Sequence, residues 1–100
     1  MGSLTDEARI VLEKNIDNIL KKPEAAEEIY SIVLREHGIE PNLETVLSFI
    51  TGFLTGIMQH FYIVAYNRSL NPNEIKTLIA LMKRKAFEMR MAFLETRIKE

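Results

Sequence analysis

Apolar residues recur at helical spacing along almost the whole chain, and the interruptions fall where helix ends belong. Thr5 stands ahead of Asp6 and Glu7, an N-cap followed by acids that favour the positive end of a helix. Leu12, Ile16, Ile19 and Leu20 then share one face beside Ile10 and Val11, which predicts a first helix over 6–21. Lys21 and Lys22 close it with the charge a helix C-terminus prefers. Pro23 suits the first position of a second helix, because the N–H it lacks would have no partner there. That helix is read over 23–37, with Ala25 or Ala26, Ile29, and Ile32 or Val33 inward and Tyr30 and Leu34 on the flank. Gly38 then ends the helix, and Pro41 prevents its continuation.

The third helix is read over 42–66, and from Thr45 through Asn67 it carries no Asp, Glu, Lys or Arg. Such a run is long enough to span a hydrocarbon core, and Gly52 and Gly56 have the small-residue spacing that lets helices approach closely. Ser48, Gly52, Thr55, Gln59, Tyr62 and Tyr66 nevertheless recur at intervals of four and three as one more polar stripe. Opposite lie Val46, Phe49 or Ile50, Phe53, Ile57, Phe61 and Val64. A helix apolar on most but not all sides suits the central, largely enclosed member of a small bundle, so a membrane span is the less favoured reading. Residues 61–66 have strand propensity, but they continue the helical spacing without a turn before them.

Asn71-Pro72-Asn73-Glu74 is the sharpest local signal: a cap, a proline at the first helical position, and an acid three residues after the cap. It opens a fourth helix read over 72–97. Ile75, Leu78, Ile79, Met82, Ala86, Met89 and Phe93 form its main face. Ala80, Phe87 and Leu94 make a second line at intervals of seven, with Met91 and Ile98 farther round. One short bundle has little use for apolar groups on opposed sides of a helix, so Phe87, Met91 and Leu94 are read as anchors of an interface, with Lys83 and Arg90 as rim charges.

The pattern thus predicts an all-α fold: one helical domain over 1–100, built as a small antiparallel four-helix bundle that forms a homodimer. One hundred residues support a single core, and 47% apolar with 27% charged residues is a globular balance. A net charge of -1 gives no global field for a polyanion, and the absence of cysteine excludes disulfides and thiolate chemistry. The cysteine-free composition fits a cytoplasmic setting. The start Met1-Gly2-Ser3 resembles no secretory leader, and Asp6 stands where an N-myristoylation pattern needs Ser or Thr.

Candidate chemistry is sparse. His37 sits at a helix end and His60 beside Gln59 in the apolar helix; neither has a ligand partner at the spacing a metal site needs, so no metal or cofactor is expected. Glu24, Glu27 and Glu28, like Glu88 and Glu95, read as solvated helix faces rather than acid–base pairs, and Gly52-Phe53-Leu54-Thr55-Gly56 lacks the lysine of a phosphate loop. A helix-turn-helix around Gly38 would have an apolar recognition helix, which cannot read base edges. The leading expectation is therefore a non-enzymatic structural or protein-interaction domain. Two alternatives stand beside it. A nucleic-acid-associated regulator would use the basic stripe Lys76, Lys83, Arg84, Arg90 and Arg97, and a small-molecule carrier would use a pocket at Thr55, Gln59, His60 and Tyr62.

Overall fold

The computed structural model describes residues 4–99; the Met1-Gly2-Ser3 start and Glu100 lie outside them. Four helices make up the chain, α1 Asp6–Lys21, α2 Pro23–Glu36, α3 Leu43–Tyr66 and α4 Pro72–Lys99, with no strand among the described residues. A four-helix bundle accommodates this architecture. Several of the helix ends follow from a local device. Thr5 Oγ1 accepts the Ala8 N–H at 3.2 Å, which starts α1. Asn42 and Thr45 exchange side-chain bonds at 2.8 and 3.0 Å to open α3. Asn67 ends α3 in the left-handed region at φ 55°, its N–H donating to Ile63 O.

Gly38 closes α2 at φ +73°. Its N–H donates to Arg35 O, and the Ile39 N–H donates back to Leu34 O at 2.9 Å, so two carbonyls without helical partners are satisfied by one reversal. A side chain at that φ is strained even though open space surrounds the position.

α3 is the element every other helix packs on. α1 reaches its C-terminal end, where Thr5 meets Tyr62 and Tyr66. α2 covers the N-terminal half, with the Tyr30 ring 5.2 Å from Phe49 and 5.8 Å from Phe53. α4 joins both ends, through Glu74 near Tyr62 and Arg90 near Glu44. The ridge Val46, Ile50, Leu54, Met58 and Tyr62 runs fully buried down the middle at intervals of four. Ala8, Leu12 and Ile16 from α1, Leu34 from α2, and Leu78, Met82, Met89 and Phe93 from α4 complete the core.

Three faces differ from the sequence reading. In α2, Ile29 and Ile32 are exposed and Tyr30 and Leu34 are buried, so the helix is turned from its expected phase. Its rotation follows the tilted packing of Tyr30 against two α3 rings and the pairing of Glu27 with Arg97. In α4, Ile79 and Ala86 are exposed rather than inward, while Glu74 and Thr96 are buried.

The third difference is larger. α3 is not enclosed: only 28% of its most apolar stretch is buried, and Phe53, Ile63 and Val64 face outward. The more polar stripe is the one turned in at the C-terminal end, because Gln59, Tyr62 and Tyr66 meet backbone and side-chain groups at the ends of neighbouring helices. By length and composition alone α3 is long and apolar enough to cross a membrane.

Replacing Gly38 by Ala should lower stability by about 1 kcal/mol through backbone strain alone. Urea unfolding followed by circular dichroism checks this; Asn at the same position, which tolerates the left-handed region, should recover most of the loss.

Candidate functional site

Three groups of side chains go beyond generic packing, and the first is a polar cluster where α1, α3 and α4 meet. Glu74 is 3% exposed yet carries a charge. Arg68 from the α3–α4 loop grips it with two parallel bonds of 2.7 and 2.8 Å. Asn71 completes the capping box, its N–H donating to Glu74 Oε1 at 2.9 Å while its side chain accepts the Glu74 N–H at 2.8 Å. The Arg68 bonds, helped by the Asn71 N–H and by Tyr62, hold the Glu74 carboxyl down at about 2 against the opposing effect of burial.

The guanidinium of Arg68 lies 5.1 Å from the centre of the Tyr62 ring, whose hydroxyl accepts the Thr5 N–H at 3.2 Å. Thr5 also shares a 2.7 Å hydroxyl bond with Tyr66, and Gln59 Oε1 accepts the Leu70 N–H at 2.8 Å. Each residue of this cluster bonds another part of the chain, which makes the cluster an anchor between the helices.

The second group is the open face of α3. Gly52, Phe53, Gly56, Ile57 and His60 line a shallow hollow, and Ile63 and Val64 extend it toward the helix end. Val64 is 70% exposed. A Cβ added at either glycine would meet nothing within 4 Å, so neither glycine answers to a neighbour in this chain. Thr51 and Thr55 on the flank donate back to Leu47 O at 3.0 Å and Thr51 O at 2.7 Å. Their hydroxyls can therefore be covered without losing a partner. Phe53 carries the face on into a largely apolar groove of about 520 Å³ lined by Tyr30, Phe49, Ile29 and Val33, with Asn15, Asn18 and Lys22 on its α1 side.

The third group is the outer side of α4. Phe87 is 70% and Ile98 76% exposed, with Met91 and Leu94 between them. Of the basic stripe, Arg97 is turned toward Glu27, Nη2 to Oε1 3.1 Å, and Arg90 is paired with Glu44. That pairing holds the Glu44 carboxyl below its ordinary range. Lys76, Lys83 and Arg84 remain exposed with no ion pair among the described residues. The structure thus divides the five cations into three open and two engaged.

The four residues of the expected ligand pocket are also divided. Tyr62 is buried in the polar cluster, Gln59 holds the loop, Thr55 bonds its own helix, and His60 lies on the open face. Among the described residues no cluster of His, Cys, Asp or Glu is arranged to hold a metal ion. Reading the sequence missed Arg68, Glu44 and Thr5 as partners: Glu44 and Thr5 bond residues on distant parts of the chain, and Arg68, though only six residues before Glu74, belongs to a loop with no periodic pattern to mark it. No family model, curated protein or solved structure matches the chain.

Glu74→Gln should cost about 2 kcal/mol near neutral pH, since Arg68 then loses its charged partner. The Glu74 carboxylate is favoured by folding, so its contribution is complete above about 4.5 and fades as pH falls toward about 2. The gap between wild type and Glu74→Gln should close over that window in urea titrations at stepped pH. A gap that stayed constant would mean the carboxylate is not stabilised by folding.

Proposed function

We propose that this chain is a small, non-catalytic protein-interaction domain that works by self-association, a four-helix bundle pairing with a second copy through the open face of α3. The observation that carries the reading is the uncharged apolar surface from Gly52 to Val64, with two glycines whose missing side chains leave room that nothing in the chain fills. Glycine inside a helix costs about 1 kcal/mol relative to Ala. A helix from another molecule gains what that cost provides, a close approach of two backbones.

Several features fit a second copy. A face without charge can meet itself about a two-fold axis with no like-charge contact, and the flanking hydroxyls are already satisfied. The strip from Gly52 to Val64 is about 18 Å long, too little alone for the roughly 800 Å² per partner of a stable interface. Phe53 continues it into the Tyr30–Phe49 groove, which gives a partner more to cover; the charge on its lining is Lys22, which lies between α1 and α2 and outside the α3 strip's own uncharged residues. Within one chain, Glu44 at the start of α3 beside Arg90 late in α4, and Gln59 beside the Leu70 backbone just before α4, support antiparallel neighbours.

Light scattering coupled to gel filtration tests the reading. Wild type should have dimer mass. Gly56→Leu and Val64→Glu should each give a helical monomer, whereas Phe87→Glu with Leu94→Glu should keep the dimer. Gly52→Ala with Gly56→Ala should separate the two roles of the glycines, stabilising the isolated chain by about 1 kcal/mol per site while weakening the dimer. A wild type that stays monomeric at high concentration, or a Gly56→Leu protein of unchanged mass, would sink the proposal.

A further inference from the structure

The outer side of α4 has a different chemistry from the open side of α3. Ala80, Phe87, Met91, Leu94 and Ile98 lie roughly opposite the buried ridge Leu78, Met82, Met89 and Phe93. Lys76 and Lys83 border this apolar line on one side and Arg84 on the other, all exposed and without an ion pair among the described residues. Arg90 stands beside them but is neutralised by Glu44, Glu88 is met by Lys85 at 3.7 Å, and Glu95 is the one acid at the edge. On a chain of net charge -1, this face is locally cationic.

From this arrangement we infer that α4 docks flat on an anionic phospholipid surface, its apolar line entering the headgroup layer and Lys76, Lys83 and Arg84 meeting lipid phosphates. An apolar stripe bordered by cations is what an interfacial helix presents, and the opposite charge of the lipid complements cations the fold leaves unpaired. A second copy of the same face would set three unpaired cations against three. Nucleic acid would use the cations but leave Met91, Leu94 and Ile98 against sugar and phosphate, with no amide side chain among the residues of this line to meet a base edge. The bilayer is the occupant that uses both halves of the face. This inference does not rest on the pairing of α3, and α4 lies on the surface rather than crossing it.

Flotation of the full chain with vesicles tests it. Wild type should float with vesicles of phosphatidylcholine and phosphatidylglycerol in equal parts, stay behind with phosphatidylcholine alone, and bind less as salt is raised. Removing each cation should weaken binding about fivefold, so Lys83→Ala with Arg84→Ala should lose about 25-fold. Phe87→Ser with Ile98→Ser should lose at least about tenfold. These positions are exposed, so thermal melts should be unchanged, and the mass in solution should match wild type. Equal flotation with both vesicle types, no flotation with either, or variants that float like wild type would overturn the inference. Tight binding to duplex DNA in place of vesicles would reassign the face to nucleic acid. Loss of dimer mass in Phe87→Ser with Ile98→Ser would reassign it to self-association.

Discussion

Glu74 lies almost wholly out of water with its charge intact, and the rotation of α3 follows from what that carboxylate requires. A buried charge needs a partner of opposite sign and hydrogen bonds for its remaining lone pairs. Arg68 supplies the charge and Asn71 the backbone donor. Arg68 in turn lies over the Tyr62 ring, so Tyr62 must face the interior, where its hydroxyl also takes the Thr5 N–H at the start of α1. Two residues further along a helix is a turn of about 200°. With Tyr62 inside, Val64 must be outside, and Phe53, Gly56 and Ile57 follow on the same side.

The apolar surface on α3 is thus the other half of a polar requirement. A helix whose less polar side had been buried would have hidden Phe53, Ile57 and Val64, but it would have left the Thr5 and Leu70 N–H groups without the acceptors that Tyr62 and Gln59 provide. An unmet buried donor costs about 1–3 kcal/mol, comparable to hiding one aliphatic side chain, and two such donors converge here. The chain satisfies its ends and leaves apolar surface open.

Local devices were legible in the sequence: the Asn71–Glu74 box, the cap at Thr5, Pro23 at a helix start and the Gly38 reversal all depend on residues within a few positions of one another. The four helix spans follow from these with shifts of one or two residues. Helix phase was less legible. Apolar spacing places Ile29, and Ile32 or Val33, inward, and nothing local reveals that Glu27 has Arg97 as a partner seventy positions on, or that Tyr30 will pack against Phe49. The candidate residues fared in the same way. The exposure of Phe87 and Leu94 is a property of the spacing of α4 itself, whereas the engagement of Arg90 and Arg97 and the dispersal of Thr55, Gln59, His60 and Tyr62 depend on neighbours from other helices.

One hundred residues folded together have a high ratio of surface to volume, so four helices that are nearly half apolar cannot all be buried by one another. What distinguishes this chain is how the surplus is sorted. On α3 it stands apart from every charge between Thr45 and Asn67, beside two glycines and hydroxyls bonded to their own helix. On α4 it stands between cations. Charge decides what each face can touch. Two copies of the α3 face can meet without repulsion, while two copies of the α4 face cannot, and an anionic lipid surface offers phosphates to α4 but no rigid backbone to use the room beside Gly52 and Gly56. The same physical excess is therefore sorted onto two chemically different faces, and the residues that tell them apart are the polar ones.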